Sequence, residues 1–422
     1  MASVYAAMTD DDLRASYQKL CDRISAGDDT LQVFVPGTFD RKRITDQVER
    51  CLEMFPDPST RPPLFAMPVG VKDIFHCDGF TTRCGSRLPP ELFQGPEADS
   101  VSRLKSAGAV VMGKTATTEF AYFAPAATRN PVNPAHTPGG SSSGSAAGVA
   151  AGFFDVALGT QTVGSVIRPA SYCGVTGFKP SLGRISTAGV VPFSVTVDHV
   201  GVFCTKASEL PAIMVALDPS WQPVPETDKL RLGIPVGPYL RQTEDQALTT
   251  FEAQKDRLAQ AGIEIVEVPV LEDIEAINAR HTKLISAEIA RVHAPWFENH
   301  QDLYRTKTRE IILTGQAVAE SEINGLKASC LALRRVLSEA MHRARIDAFA
   351  CPSTIGEAPV GLDTTGSPLM NLPWTHAGLP VVSLPAGAGP GGLPLGLQLV
   401  GGFGMDEGLI GAALMLAPLL AD

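Results

Sequence analysis

A chain of 422 residues is long enough for a large buried core, and its 39 glycines and 33 prolines, set among persistent apolar runs, imply tight turns rather than disorder. With 35 basic and 45 acidic side chains the net charge is −10, and no run of five or six like charges occurs, which argues against nucleic acid as a partner. There is no stretch of about 18 apolar residues that would span a bilayer, and the opening residues lack a basic segment leading into an apolar one, so a cytoplasmic protein without a membrane segment is expected.

Residues 9–26, TDDDLRASYQKLCDRISA, join an N-cap Thr to an acidic first turn and apolar residues at helical spacing, which predicts an exposed amphipathic helix. A second helix is expected over about 43–55. From PLFAMPVGVKDIF onward, short apolar runs broken by Gly and Pro predict the strands and turns of a central sheet. ADSVSRLKSAG followed by AVVMGKT reads as a helix and then a buried strand. Further on, KLRLGIPVG and IEIVEVPV read as strands flanking a helix over about 243–261, and long charged helical sequence runs to His342. DAFACPST, GLPVVSLPAG and GLQLVGG return to short buried strands before a closing helix. The expected organisation is one domain over 1–422: an N-terminal helical part (1–60), a catalytic core (61–225), a peripheral helical layer (226–343) that covers the site, and a return to the core sheet (344–422).

The 8 cysteines show no CxxC spacing and the 8 histidines no HExxH, so buried thiols are expected, with neither disulfides nor a metal site. The distinctive stretch is HTPGGSSSGSAAGVAAGF, residues 136–153. It does not read as a linker, because an Ala-rich helix and an apolar strand continue from it, nor as a phosphate loop, because no Gly-Lys-Ser/Thr closes it. Serine chemistry remains, in two forms. Gly140-Ser141-Ser142-Ser143-Gly144 fits G-x-S-x-G, which would make Ser142 the nucleophile of an α/β-hydrolase-like esterase with His300, His342 or His376 as base.

The other form uses three ordered blocks: MPVGVKDIF with Lys72, GGSSSGS with Ser141, and GTQTVGSVIRPASYCGVTGFKPS with Ser165, with GKTATTEFAY between the first two. Together they closely resemble the amidase signature family from about residue 63 to 205, and the likeness returns weakly in THAGLPVVSLPAG and LPLGLQLVGGFG. The resemblance implies an α/β fold, a single large domain with a central mixed twisted sheet surrounded by helices. It further implies a C–N bond hydrolase with Lys72 as base, Ser141 as proton relay and Ser165 as nucleophile. A cis Gly140–Ser141 bond and an oxyanion hole from the backbone of Thr162, Val163, Gly164 and Ser165 belong to the same expectation. No cofactor is implied; the partner would be a small-molecule amide or carbamate, and the protein a monomer or homodimer.

The chemistry is consistent with these residue types. A lysine is a base only when neutral, which requires burial, and Lys72 sits in an apolar segment; the bland reading pairs its ammonium with Asp73 or extends it to solvent. The chain departs from the family pattern at Ser143, Gln161, Val163 and the one-residue shift of Arg168. Because a β-branched residue resists positive φ, Val163 predicts an extended-like backbone or a narrower hole. Tyr122, Phe123, Ser142, Trp374 and His376 are candidates to line the pocket, Asp198 and Cys173 read as structural, His136 could face the cleft, and Tyr304 and Ile312 could form a lid. The apolar and aromatic texture predicts a neutral, arylated or hydrophobic acyl group. An amidotransferase subunit that passes ammonia to a charged tRNA, and a non-catalytic binding protein, are the remaining alternatives.

Overall fold

The computed structural model describes residues 4–227 and 229–420. Its strands are β1 (Pro68–Lys72), β2 (Val110–Thr115), β3 (Val156–Gln161), β4 (Thr176–Lys179), β5 (His199–Cys204), β6 (Arg231–Val236), β7 (Glu264–Pro269), β8 (Ala348–Pro352), β9 (Val381–Ala388) and β10 (Pro394–Val400). Its helices are α1 (Asp10–Leu31), α2 (Arg41–Met54), α3 (Asp99–Ser106), α4 (Ser143–Ala150), α5 (Ile167–Cys173), α6 (Leu210–Leu217), α7 (Asp245–Gln260), α8 (Ile274–His300), α9 (Thr306–Gln316), α10 (Glu320–Ala344), α11 (Leu372–His376) and α12 (Asp406–Leu420). The ten strands form one sheet in the order β2-β1-β3-β5-β4-β9-β10-β8-β6-β7. β1 runs parallel to β2 and β3, β6 runs parallel to β7 and β8, and the strands between are antiparallel, so the sheet is mixed.

β1 and β3 are buried along their whole length, which is why they read as unbroken apolar runs rather than alternating ones. Their parallel register, Val69 beside Val156, brings the C-terminal ends Lys72 and Gln161 to the same edge of the sheet, where chain crossings leave room for a site. The Gly/Ala composition of α4 has a steric cause. A Cβ on Gly148 would lie 2.0 Å from the Phe154 ring and one on Gly144 2.3 Å from Val33 O, so α4 can sit this close to its neighbours only with glycine at both positions.

α1 begins as its sequence predicts, with Thr9 accepting from the Asp12 N–H, but it runs five residues past the expected end at Ala26, to Leu31. The Gly-Asp-Asp that reads as a stop is helical; Asp28 instead accepts from the Val33 and Phe34 N–H groups beyond it, and Gln32 closes the helix at φ 50°. The segment 226–343 is more than a helical layer: β6 and β7 extend the main sheet, because β6 pairs with β8 as well as with β7. β7 is the outermost strand, with Glu264 and Glu267 exposed.

Candidate active site

Lys72 ends β1, Ser141 lies in the loop entering α4, and Ser165 lies in the turn from β3 to α5. The Lys72 side chain is wholly buried, with Nζ 2.7 Å from Ser141 Oγ and 2.7 Å from Thr160 Oγ1. Burial pushes its pKa well below the ordinary lysine range, against the pull of the Asp198 carboxylate in the other direction. Asp73 is not its partner: that carboxylate meets Lys114 Nζ at 3.0 Å and the Arg83 N–H. The Gly140–Ser141 peptide bond is cis.

Ser141 and Ser165 line one cleft together with Tyr122, Phe123, Thr162 and Val163. The nucleophile turn is fixed from behind. Gln161 Oε1 accepts from the N–H groups of Val166 and Ile167 at 2.8 and 3.0 Å, which satisfies two donors at the start of α5. The Thr162 carbonyl lies 3.0 Å from His281 Nε2, and the Val163 carbonyl accepts from Thr375 Oγ1 at 2.7 Å. Among the described residues, none accepts from the N–H groups of Val163, Gly164 and Ser165. Val163 keeps a negative φ, so its β-branched side chain is accommodated without left-handed backbone.

Asp198 supports the same turn, accepting from Thr162 Oγ1 at 2.6 Å and from the Phe193 and Ser194 N–H groups at 2.8 and 2.9 Å. Burial raises its pKa to about 6 despite those three donors. Through this loop Phe193 reaches the cleft, a contact that sequence reasoning missed; no periodic pattern marks a single loop phenylalanine. Arg168 was also missed as a site residue. Its buried guanidinium lines the cleft and donates through Nη2 to Gly140 O at 2.7 Å and Thr365 Oγ1 at 3.2 Å, while Nε and Nη1 have no partner among the described residues. Burial lowers its pKa to about 10, which leaves it charged at neutral pH.

The remaining candidates separate. Ser142 is fully buried against β3, with Oγ 3.4 Å from Thr160 N and O, and no histidine touches it, so it is neither a pocket residue nor a nucleophile. Trp374 is core: it is inaccessible, packs on Phe349 and donates to the Tyr239 hydroxyl at 2.9 Å. His376 is buried beside His281 rather than in the cleft, and His136 Nδ1 lies 2.7 Å from the Ala358 carbonyl. Cys173 is buried. Tyr304 and Ile312 are buried in the core as well; it is Glu310, Ile311 and Thr314 of α9, with Thr282 and Ser286 of α8, that line an outer cavity of about 390 Å3 ending at Tyr122 and Phe123. A larger cavity of about 690 Å3 lies between Asp28–Phe39 and Arg83–Ser86 and contains none of Lys72, Ser141 and Ser165, so size does not mark the site. Among the described residues no His, Cys, Asp and Glu cluster could hold a metal ion, and no helix is long and apolar enough to cross a membrane.

A mixed sheet wrapped by helices, with paired serines in a cleft at the strand ends, defines an α/β protein with a candidate hydrolytic site. A family model described as Amidase matches residues 15–410, and the chain belongs to this family. It is 30% identical to the A-type subunit of the glutamyl-tRNA(Gln) amidotransferase of Synechococcus sp. (strain RCC307), over 94% of this chain and 92% of the relative. The same protein from Neisseria meningitidis serogroup C (strain 053442) is 30% identical over 83% of each chain. A crystal structure of an amidase superposes with a TM-score of 0.87 and 29% identity, over 96% of this chain and 95% of the other. The 6-aminohexanoate cyclic dimer hydrolase, at 21% identity and a TM-score of 0.83 over 98% and 94%, shares the fold.

Proposed function

We propose that this amidase cleaves the C–N bond of its substrate through an acyl-Ser165 intermediate, with Lys72 as base and Ser141 as relay. The observation that carries this reading is the buried Lys72 amine 2.7 Å from Ser141 Oγ, in the cleft shared with Ser165. The neutral amine takes the Ser141 proton, Ser141 takes that of Ser165, and Ser165 Oγ attacks the carbonyl carbon. The N–H groups in the turn 162–165 are the donors for the tetrahedral oxyanion. The proton returns through Ser141 to the departing nitrogen, and water then hydrolyses the acyl-serine. Because the base form is needed, kcat/KM rises as Lys72 loses its proton, with a midpoint below the ordinary lysine value.

Arg168 revises the expected acyl group. The buried Nε–H and Nη1 N–H groups of Arg168, without a hydrogen-bond partner among the described residues and in the cleft that Ser165 lines, favour an acyl portion that offers an acceptor oxygen, a carboxylate being the strongest match. An acyl portion with nothing to offer leaves these donors unsatisfied. The kinship with amidotransferase subunits favours a second reading in which the amide is that of glutamine and the chain works within a complex.

The test is fluorophosphonate labelling with the adduct located by peptide mass spectrometry. An adduct on Ser165 that largely disappears in Lys72→Ala, with the melting temperature kept, is expected; a label on Ser142 that ignores Lys72 overturns the mechanism. A panel of amides with and without an acyl-side carboxylate, run on wild type and Arg168→Met, tests the acyl preference. Carboxylated amides turned over at least 100-fold better by wild type, with the advantage lost in the variant, are expected. Equal rates reject the role of Arg168, and glutamine turnover appearing only with copurified partner proteins supports the amidotransferase reading.

A further inference from the structure

Behind the nucleophile turn lies a buried chain of side chains that the mechanism above does not use. His281 on α8 places Nε2 3.0 Å from the Thr162 carbonyl and Nδ1 3.2 Å from Nδ1 of His376, the last residue of α11. His376 Nε2 in turn lies 2.9 Å from Ser329 Oγ on α10. A carbonyl can only accept, so His281 Nε2 carries the proton; in a neutral ring Nδ1 is then a lone pair. A lone pair needs a donor, so His376 carries its proton on Nδ1, directed at His281 at 3.2 Å rather than at the weaker and longer contact with Cys330 Sγ at 3.5 Å. Ser329 has one proton and a second neighbour, Leu326 O at 2.6 Å, so the last link is shared, while the first two are fixed by the carbonyl.

Both rings are buried, and burial lowers their pKa values to about 3 and about 4, so the chain is neutral across the working pH range. The consequence reaches the cleft. A trans peptide points its N–H opposite its C=O; with the Thr162 carbonyl held toward α8, the Val163 N–H faces away from it, on the side where Thr162 and Val163 line the cleft with Ser165. Thr375, next to His376 on α11, holds the following carbonyl, that of Val163, in the same manner.

We propose that His281, held by His376 in the Nε2–H tautomer, is a positioning residue that orients the Thr162–Val163 peptide and so aims one donor of the oxyanion hole. The inference rests on the acyl-Ser165 reading. In that reading, a Val163 N–H left free to turn away stabilises the transition state less without changing how substrate binds, so the loss falls on kcat.

Two measurements test it. In protein labelled with 15N-histidine, nuclear magnetic resonance on the wild type should show His281 as the Nε2–H and His376 as the Nδ1–H tautomer between pH 5 and 8; His281 protonated on Nδ1 alone overturns the proposal. Side-chain replacement supplies the kinetic arm, because Gln places its amide nitrogen where Nε2 was and Asn places it where Nδ1 was. His281→Gln should keep kcat within about 3-fold, and His281→Asn should lower kcat and the fluorophosphonate labelling rate by about 10–100-fold with KM little changed. An Asn variant as fast as wild type, or a Gln variant as slow as the Asn one, rejects the role. A wild type that takes the label away from Ser165 overturns the acyl-Ser165 reading instead, and this is seen before any variant is compared.

Discussion

Gln161 holds the nucleophile turn by satisfying two N–H groups of α5 at once while its own amide donates to Thr375 Oγ1 at 2.9 Å. Gln161→Leu leaves those two buried donors unpaired and should lower stability by about 2–6 kcal/mol, at about 1–3 kcal/mol for each donor. Gln161→Glu keeps the acceptor and should cost less, which urea unfolding of both variants checks. A second expectation concerns protons. His293 lies 2.9 Å from the Tyr304 hydroxyl, and burial lowers its pKa to about 3, whereas the unfolded chain protonates near 6.5. Below 6.5 the unfolded state therefore binds a proton that the folded state refuses, so stability is lost as pH falls, by up to about 1.4 kcal/mol per pH unit from this group. His293→Gln should remove that share, read as a shallower fall of unfolding free energy from pH 6.5 to 4; an unchanged slope would contradict the buried neutral ring. At this scale the sequence was informative wherever chemistry demanded a residue type in an apolar setting, as for Lys72. Arg168 was not legible as a cleft residue, because its significance lies in the partners it lacks.

α8 and α9 cross so closely that a Cβ on Gly315 would sit 1.7 Å from Ser286 O, a backbone atom in the helix opposite. Gly315→Ala must push the helices apart; a loss of about 3 kcal/mol is expected. Since α9 lines the outer cavity and not the Ser165 turn, KM should rise several-fold with kcat nearly kept. Gly325 on α10 meets nothing within 4 Å, and Gly325→Ala should stabilise by about 0.5–1 kcal/mol, the ordinary helix preference for Ala. Melting temperatures and steady-state kinetics of the pair distinguish crowding from a general effect of losing a glycine. Elements with strong local signals were legible: the Thr9 cap, the buried run of β1, and the strands β6 and β7 with α7 between them. The end of α1 was not, because the Asp28 carboxylate, and not local propensity, holds the backbone at Val33 and Phe34.

The sheet draws strands from both halves of the chain, and β6 has β8 as one of its two neighbours. A fragment 226–343 loses that neighbour and should lack fixed tertiary structure, seen as weak near-ultraviolet circular dichroism; a cooperative melting transition of the fragment would show that it folds alone. Strand order was the least legible feature. Pairing partners far apart in sequence, such as β4 with β9, are chosen by packing that no local pattern encodes. The sheet also has to stop, and β7 is one of the two strands where it does. Along this strand Glu264 and Glu267 are exposed on opposite faces, Glu264 paired with Arg231 at 3.1 Å, and Pro269, which lacks an N–H, ends it. A second copy laid along this edge would meet exposed charge on both faces and a position without a donor, so this margin of the molecule carries a chemical terminator against growing into a ribbon.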